Sequence, residues 1–332
     1  MKIVVLKKDD IKKVFSMKDA IEADKDALKF YSQGETDIPL RVNIDVSEEN
    51  GQSLYMPGYV AKAHALGIKI VSVYPDNAKV EKISVPATMV LKNHETGEVS
   101  SIMDGTYLTE IRTGAVSGAA TDILARKDAS IFAMIGTGGQ AKSQLEAVLN
   151  VRPIKEVRVF GRDKKKTEEF AKKMKTELGE EFDFEIIAAD SSDEAINNAD
   201  IITCVTTAKE PVFDGKLVKQ GAHINGVGSY TPDMQEIDPY ILKKASKIYV
   251  DTMDGVLNES GDFIIPIQNK EFSKDDISGE LGQVIMGEIK SRESEDEITV
   301  FKTVGSAVLD IVTAKRIYDK AVEKGIGQVL EF

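Results

Sequence analysis

One stretch constrains this chain more than any other: "ASIFAMIGTGGQAKSQLEAVL", which begins at Ala129. An apolar run passes through Gly-Thr-Gly-Gly into a segment with helical spacing. Gly136, Gly138 and Ala141 give the pattern G-x-G-x-x-A. The first glycine lets the chain turn sharply out of a strand. The second removes a side chain that would collide with a pyrophosphate, and the small third residue lets helix and strand pack closely. The helix start offers backbone N–H groups and a positive dipole end to the phosphates. With a strand before it and a helix after it, the turn Gly136, Gly138, Gly139, Gln140 and Ala141 reads as a dinucleotide site.

The surrounding sequence repeats that alternation. Apolar runs stand at "EVRVFG", "FEIIAAD", "DIITCVTT", "GAHINGVG" and "SKIYVDT", with charged, helix-period segments such as "DKKKTEEFAKKMKTEL" between most of them. Short apolar runs of this kind suit strands buried on both faces. The expectation is α/β: a Rossmann-type, doubly wound parallel sheet. The first hundred residues differ. "KDAIEADKDALKFYSQGE" reads as a helix ending near Gly34. "IPLRVNIDV", "GQSLYMPGYV", "ALGIKIVSVYP" and "PATMVLKNHETGEVSSIMDG" read as strands, with "NHETGE" a hairpin loop. This is a separate α+β or barrel-like unit. "LTEIRTGAVSGAATDILARKD" reads as a helix crossing into the parallel sheet, and "EITVFKTVGSAVLDIVTAKRIYDKAVEKG" as a strand, a turn and a long helix returning to the first domain. The charge run "EIKSRESEDE" reads as a solvated loop.

The strand after the glycine turn bears on which dinucleotide is held. An acidic residue near its end would accept hydrogen bonds from a ribose 2′-hydroxyl. Here Gly161 occupies that place, Arg162 follows it, and Lys164, Lys165 and Lys166 lie beyond. A 2′-phosphate calls for cations, and arginine offers a planar fork. NADP(H) is therefore favoured over NAD(H), while Asp163 is placed to face the ribose instead. Thr206 and Thr207 end another strand at the carboxyl edge, where ligands bind in open α/β sheets.

Composition removes other classes. The formal net charge of -12 disfavours nucleic acid and anionic membranes as partners. No window is long and apolar enough for a transmembrane helix, and the opening apolar run is too short for a secretory signal. The single cysteine, Cys204, excludes an intramolecular disulfide and suits a reducing cytoplasm. It reads as a buried small hydrophobe. His64, His94 and His223 are scattered, so no metal is expected. Glu35 and Asp37 read as loop surface.

Taken together, "IPLRVNIDV", "LYMPGYV", "LGIKIVSVYP", "LTEIRTGAVSGAAT", "IGTGGQA", "GVGSYTPDMQEID" and "EITVFKTVGSA" resemble the ornithine cyclodeaminase/mu-crystallin family. The resemblance spans nearly the whole chain in order. It implies a dinucleotide domain, residues 117–304, and a substrate-binding and dimerisation domain built from residues 1–116 and 305–332. It also implies a homodimer and hydride transfer at the α-carbon of a small amino or imino acid. The family carry-over points to Arg41, Lys69 and Arg112 as the catalytic set. These, with Met56 and Tyr230, are the expected substrate contacts. Arginine suits an α-carboxylate through bidentate bonding and lysine through a point charge. Lys69 interrupts "LGIKIVSV", and a buried lysine shifts its pKa readily, so it is a candidate for the imine proton. Arg112, in the crossing helix, is placed to touch both carboxylate and cofactor. Thr113, Val227, Lys302 and Gly305, with Asn225 and Gly226, are the remaining expected cofactor contacts.

One departure from the family pattern matters. Ornithine cyclodeaminases proper carry an aspartate in the loop that here reads "GVGSYTPDMQE", and Tyr230 stands there instead, after Ser229. Tyrosine is a poor base at neutral pH and cannot ion-pair with an ammonium. Asp233 is nearby but shifted in register. The expectation is an NAD(P)H-dependent reductase or dehydrogenase of small imino and amino acids, such as a Δ1-pyrroline-2-carboxylate or Δ1-piperideine-2-carboxylate reductase. Ornithine cyclodeaminase, an ammonia-lyase using NAD catalytically, and a non-catalytic NADP-binding protein stay open as alternatives.

Overall fold

Several strands in the middle of the chain are largely apolar, and in the computed structural model they pair, with more polar neighbours, in one parallel sheet. The structure describes residues 1–332, with the side chains of all but residue 78. It divides into two compact units: Met1–Arg112 with Ser306–Phe332, and Thr113–Gly305. The first boundary falls inside a single helix, Gly105–Leu124.

In the second unit, eight strands pair in the order 185–188, 156–160, 131–135, 201–204, 223–226, 299–302, 247–250, 279–280. Every pairing is parallel. The period-2 geometry of a strand is plain in Ile131–Ile135: Ala133 and Ile135 enter one core, Phe132 and Met134 the other. Both faces are thus covered, as a parallel sheet requires. Chain order reverses across strands 131–135 and 201–204, which sets the crevice for a ligand at their carboxyl ends.

Helix Gly105–Leu124 ends against two arginines. Arg152 Nη2 donates to the carbonyls of Thr121, Asp122 and Ala125, at 2.8, 2.7 and 3.0 Å. Arg292 Nε donates to Leu124 O at 2.7 Å. These bonds gather at the carbonyls around the helix's last turn and complement its negative end. Arg292 belongs to the run "EIKSRESEDE", so that segment is not simply a solvated loop. Its neighbour Glu293 pairs with Lys247 at 2.5 Å.

In the first unit the sheet runs 328–331, 2–6, 99–104, 87–92, 65–73, 51–60, 36–37, with 42–46 also paired to 51–60. It is antiparallel except where 2–6 lies parallel to 99–104, and it is open rather than a closed barrel. Helices Met17–Ser32 and Ala307–Glu323 pack on each other, and the second packs on strands 51–60 and 65–73. Ser16 opens the first of these helices: it accepts from Asp19 N while Asp19 accepts from Ser16 N.

Across this sheet the register lines up Met56, Lys69, Met89, Met103 and Leu6, one from each of five neighbouring strands, all buried. Lys69 is the only polar member of the row. The adjacent row, on the opposite face, is Val42, Tyr55 and Ile70. There Val42 and Ile44 stay 56% and 51% exposed.

Candidate active site

Each unit carries a cluster of polar groups too ordered to be surface chemistry. In the first unit it is centred on Asp310, in the first turn of helix Ala307–Glu323. Asp310 Oδ2 lies 2.7 Å from Lys69 Nζ, and its Oδ1 accepts from Arg112 Nε at 2.8 Å. All three residues are buried. Arg41 is close enough to act on the Lys69 charge, and Met56 is the cross-strand neighbour of Lys69. Four expected substrate residues, Arg41, Met56, Lys69 and Arg112, are therefore brought together.

Electrostatics follow from that packing. Burial, with repulsion from Arg112 and Arg41, lowers Lys69 from 10.5 to about 7, against the pull of Asp310. Burial opposes ionisation of Asp310, but Arg112 and Lys69 outweigh it and hold its carboxyl below the ordinary value. Asp24 accepts from the Thr313 hydroxyl, one helical turn beyond Asp310, and burial pushes its pKa well above the usual range. With Lys69 protonated, the Lys69, Arg112 and Asp310 set carries one net positive charge, the complement of a single carboxylate. Asp310 was not singled out from the sequence, though the signal is there. A lone acid interrupts the apolar run "AVLDIV" just as Lys69 interrupts its strand.

In the second unit the glycine turn has the geometry its spacing implies. Gly136 has φ +113°, and a Cβ there would sit 2.5 Å from Val205 O. Only glycine fits. At Gly138 and Gly139 a Cβ would meet nothing within 4 Å, so the space above the turn is open. Helix Ala141–Val151 begins with no side chain capping it at Gln140. Its first N–H groups therefore suit a phosphate, and this end of the unit fits a dinucleotide.

The next strand ends at Gly161, where a Cβ would press on the hydroxyls of Thr167 and Thr137 at 2.7 and 2.9 Å. Asp163 is the N-cap of helix Lys164–Leu178 and accepts from Lys166 N. One of its carboxylate oxygens is thus engaged by the helix start. Lys164 pairs with Asp190, Lys165 with Glu169 and Lys166 with Asp163. Arg162 is exposed.

Two expected cofactor contacts, Asn225 and Lys302, are corrected. Asn225 lies inside the sheet, its amide donating to Thr121 and Thr203 and its oxygen against His223. It belongs to the core. His223 is buried too, and burial with Arg292 lowers it to about 3, so the ring is neutral. The Lys302 side chain is wholly buried with Nζ 2.9 Å from Asp262 Oδ2, which makes it an internal brace. His64 and His94, far apart in sequence, stack with ring centroids 4.6 Å apart. Among the described residues no group of three or more His, Cys, Asp or Glu is arranged to hold a metal. Cys204 is buried, as its apolar setting implied.

The strand-end loops hold the remaining candidates. Thr206 follows strand 201–204, and Val227, Ser229 and Tyr230 follow strand 223–226. Tyr230 packs against the core of its unit. Asp233 pairs with Lys209 at 2.7 Å on the surface. Gly305 has φ +75° and, with Val304, donates its N–H to the buried Asp251. Thr113, next to Arg112, accepts at its carbonyl from Gln144.

The chain matches the model of the ornithine cyclodeaminase/mu-crystallin family over residues 1–325. It is 42% identical to a Δ1-pyrroline-2-carboxylate reductase of Bacillus cereus over 330 residues, 99% of this chain and 100% of that one. The structure of Thermococcus litoralis Δ1-pyrroline-2-carboxylate reductase with NADH and L-proline aligns with a TM-score of 0.93 at 42% identity, covering 98% of this chain and 99% of the other. An archaeal alanine dehydrogenase dimer with bound NAD aligns with a TM-score of 0.90 at 33% identity, covering 100% of both chains.

Proposed function

The chain belongs to the ornithine cyclodeaminase/mu-crystallin family, and from that premise we propose that it is an NAD(P)H-dependent reductase of a cyclic α-imino acid. Its substrate is Δ1-pyrroline-2-carboxylate and its product proline. The observation that carries this is the buried Lys69, Asp310 and Arg112 set. In this reading Arg112 and Arg41 hold the substrate carboxylate. Lys69, with a pKa near neutrality, delivers the proton to the imine nitrogen. A bound reduced nicotinamide would supply the hydride for the imine carbon. One imine, one hydride and one proton give one secondary amine. Met56 and Met89 flank Lys69 and offer apolar contact to a ring.

Ornithine cyclisation fits less well. Tyr230 stands where the cyclodeaminase aspartate would be, and Asp233 is engaged by Lys209. In that loop Asp233 is paired with Lys209 and Glu236 is taken up by backbone N–H groups, which leaves a diamino acid's second ammonium poorly served. A purely nucleotide-binding role leaves the buried acid–base set without a task. Alanine dehydrogenation is the second reading, supported by the archaeal structural relative.

Arg162 supports NADP(H) over NAD(H), since it is exposed at the end of strand 156–160 while the neighbouring lysines are paired with acids. The homodimer is supported by the exposed apolar face around Val42, Ile44 and Ile70. No helix is long and apolar enough to cross a membrane. A cytoplasmic setting accords with the single, buried cysteine.

The test is a substrate panel with both cofactors: the pyrroline and piperideine carboxylates, pyruvate with ammonia, and ornithine with oxidised cofactor. Consumption of reduced cofactor with the pyrroline carboxylate supports the proposal. Turnover of pyruvate with ammonia alone selects the second reading, and ammonia release from ornithine selects the cyclodeaminase.

A further inference from the structure

Three neighbouring strands of the second unit, 201–204, 223–226 and 299–302, end beside a set of buried charges. Glu236 is wholly buried. Its Oε1 accepts from Thr206 N at 2.5 Å, and its Oε2 accepts from Gly228 N at 2.6 Å and Ser229 N at 2.9 Å. One carboxylate thus ties the loops after two adjacent strands. The Glu236 N–H and the Ile237 N–H donate in turn to Asp262 Oδ1, at 2.6 and 2.9 Å. Asp262 Oδ2 lies 2.9 Å from Lys302 Nζ, on the third strand. Gly228 leaves no slack, since a Cβ there would be 2.0 Å from Thr206 O and 2.6 Å from Glu236 Oε1. Buried carboxylates are costly unless fully bonded. This network sits at the carboxyl edge, beside the point where chain order reverses, where open α/β sheets bind their ligands.

We propose that Glu236 is a positioning residue for the nicotinamide half of the cofactor: by taking the N–H groups of Thr206, Gly228 and Ser229, it locks the two loops against which that half docks. The proposal rests on the cofactor reading above. It bears chiefly on one end of the dinucleotide, because Glu236 takes no N–H of the glycine turn itself, where the Gly136 N–H donates to Phe160 O. A glutamine at 236 has the right shape but the wrong donors. Its carboxamide oxygen serves one loop, and its NH2 group then confronts an N–H of the other. Protonation of the acid removes an acceptor in the same way. Asp262, Lys302 and Cys204 are the titratable groups that face it, and burial, opposed by Lys302 and reinforced by Asp262, pushes Glu236 up to about 7.

The experiment compares binding of NADH with ADP-ribose, and of NADPH with 2′-phospho-ADP-ribose, in the wild type and in Glu236→Gln. The expected wild type binds each whole nucleotide at least about tenfold more tightly than its fragment. In Glu236→Gln, fragment affinity should stay within about twofold while most of that advantage disappears. Equal losses for nucleotide and fragment, or no loss at all, overturn the proposal. If Glu236→Gln does not fold, the wild type alone decides: the ratio of affinities should fall as pH drops from about 8 to about 6, and a constant ratio overturns it. If the wild type binds neither nucleotide nor fragment, the cofactor reading itself is at fault.

Discussion

Asp310 Oδ2 lies 2.7 Å from Lys69 Nζ, both side chains shut away from water, and no other carboxylate is paired with that lysine among the described residues. Burial and the charge of Arg112 bring Lys69 down to about 7, and Asp310 opposes them by holding the proton on the lysine. Reduction needs the protonated lysine, so kcat/KM for the imine should decline above about pH 7. Asp310→Asn removes the group that holds the proton on Lys69, and the decline should move down by about one pH unit. Lys69→Met should lose about a hundredfold or more in kcat/KM. Stability follows the same titration. The unfolded chain keeps the lysine proton up to 10.5 while the folded chain releases it near 7, so stability rises with pH between these values and is lost as pH falls through about 7. Melting temperatures of the wild type and Lys69→Met across that window check this, since the variant should lack the rise.

Arg162 sets a second expectation. Replacing it with alanine should weaken NADPH about tenfold to a hundredfold, the range for a hydrogen bond to a charged group. NADH affinity should change little. Equal losses for the two cofactors, measured by direct titration, would mean that Arg162 does not meet a 2′-phosphate.

The glycine turn separates folding from binding. A Cβ at Gly138 meets nothing within 4 Å, so Gly138→Ala should melt within about 1 kcal/mol of the wild type. It should nonetheless bind nucleotide at least about tenfold more weakly, because the added methyl projects into the space required by the pyrophosphate. Gly136→Ala, with φ +113° and Val205 O at 2.5 Å, should damage the fold itself. Parallel melting and nucleotide titrations distinguish the two.

The exposed row on the first unit makes a prediction about assembly. Ile44→Asp places a charge in the apolar face around Val42 and Ile70. It should shift a dimer toward monomer at micromolar concentration, as read by light scattering, because buried unpaired charge is costly at an interface. A monomeric wild type would contradict this use of the face.

Much of this was legible in the sequence because local chemistry dictated it. The strand–turn–helix at Gly136 is marked by its glycine spacing, and the largely apolar strands that follow call for cover on both faces. Lys69 showed itself as a charge inside an apolar strand. The pairing of strands 2–6 and 328–331 was not legible, since it joins the two chain ends and no local pattern announces a partner so remote. Glu236 and Asp262 were missed for a related reason. Each looks like an ordinary loop or helix acid until the fold wraps strand-end N–H groups around it. Asn225 misled in the other direction, as a polar residue at a strand end whose side chain turns into the sheet rather than toward a ligand.

The most direct measurement uses reduced cofactor carrying deuterium at both positions of the reactive nicotinamide carbon, incubated with Δ1-pyrroline-2-carboxylate in ordinary water. The account predicts proline with a single deuterium at the α-carbon, formed in step with cofactor oxidation, and formed at least about a hundredfold more slowly by Lys69→Met. Unlabelled proline, or no proline while the nucleotide remains bound, would contradict it.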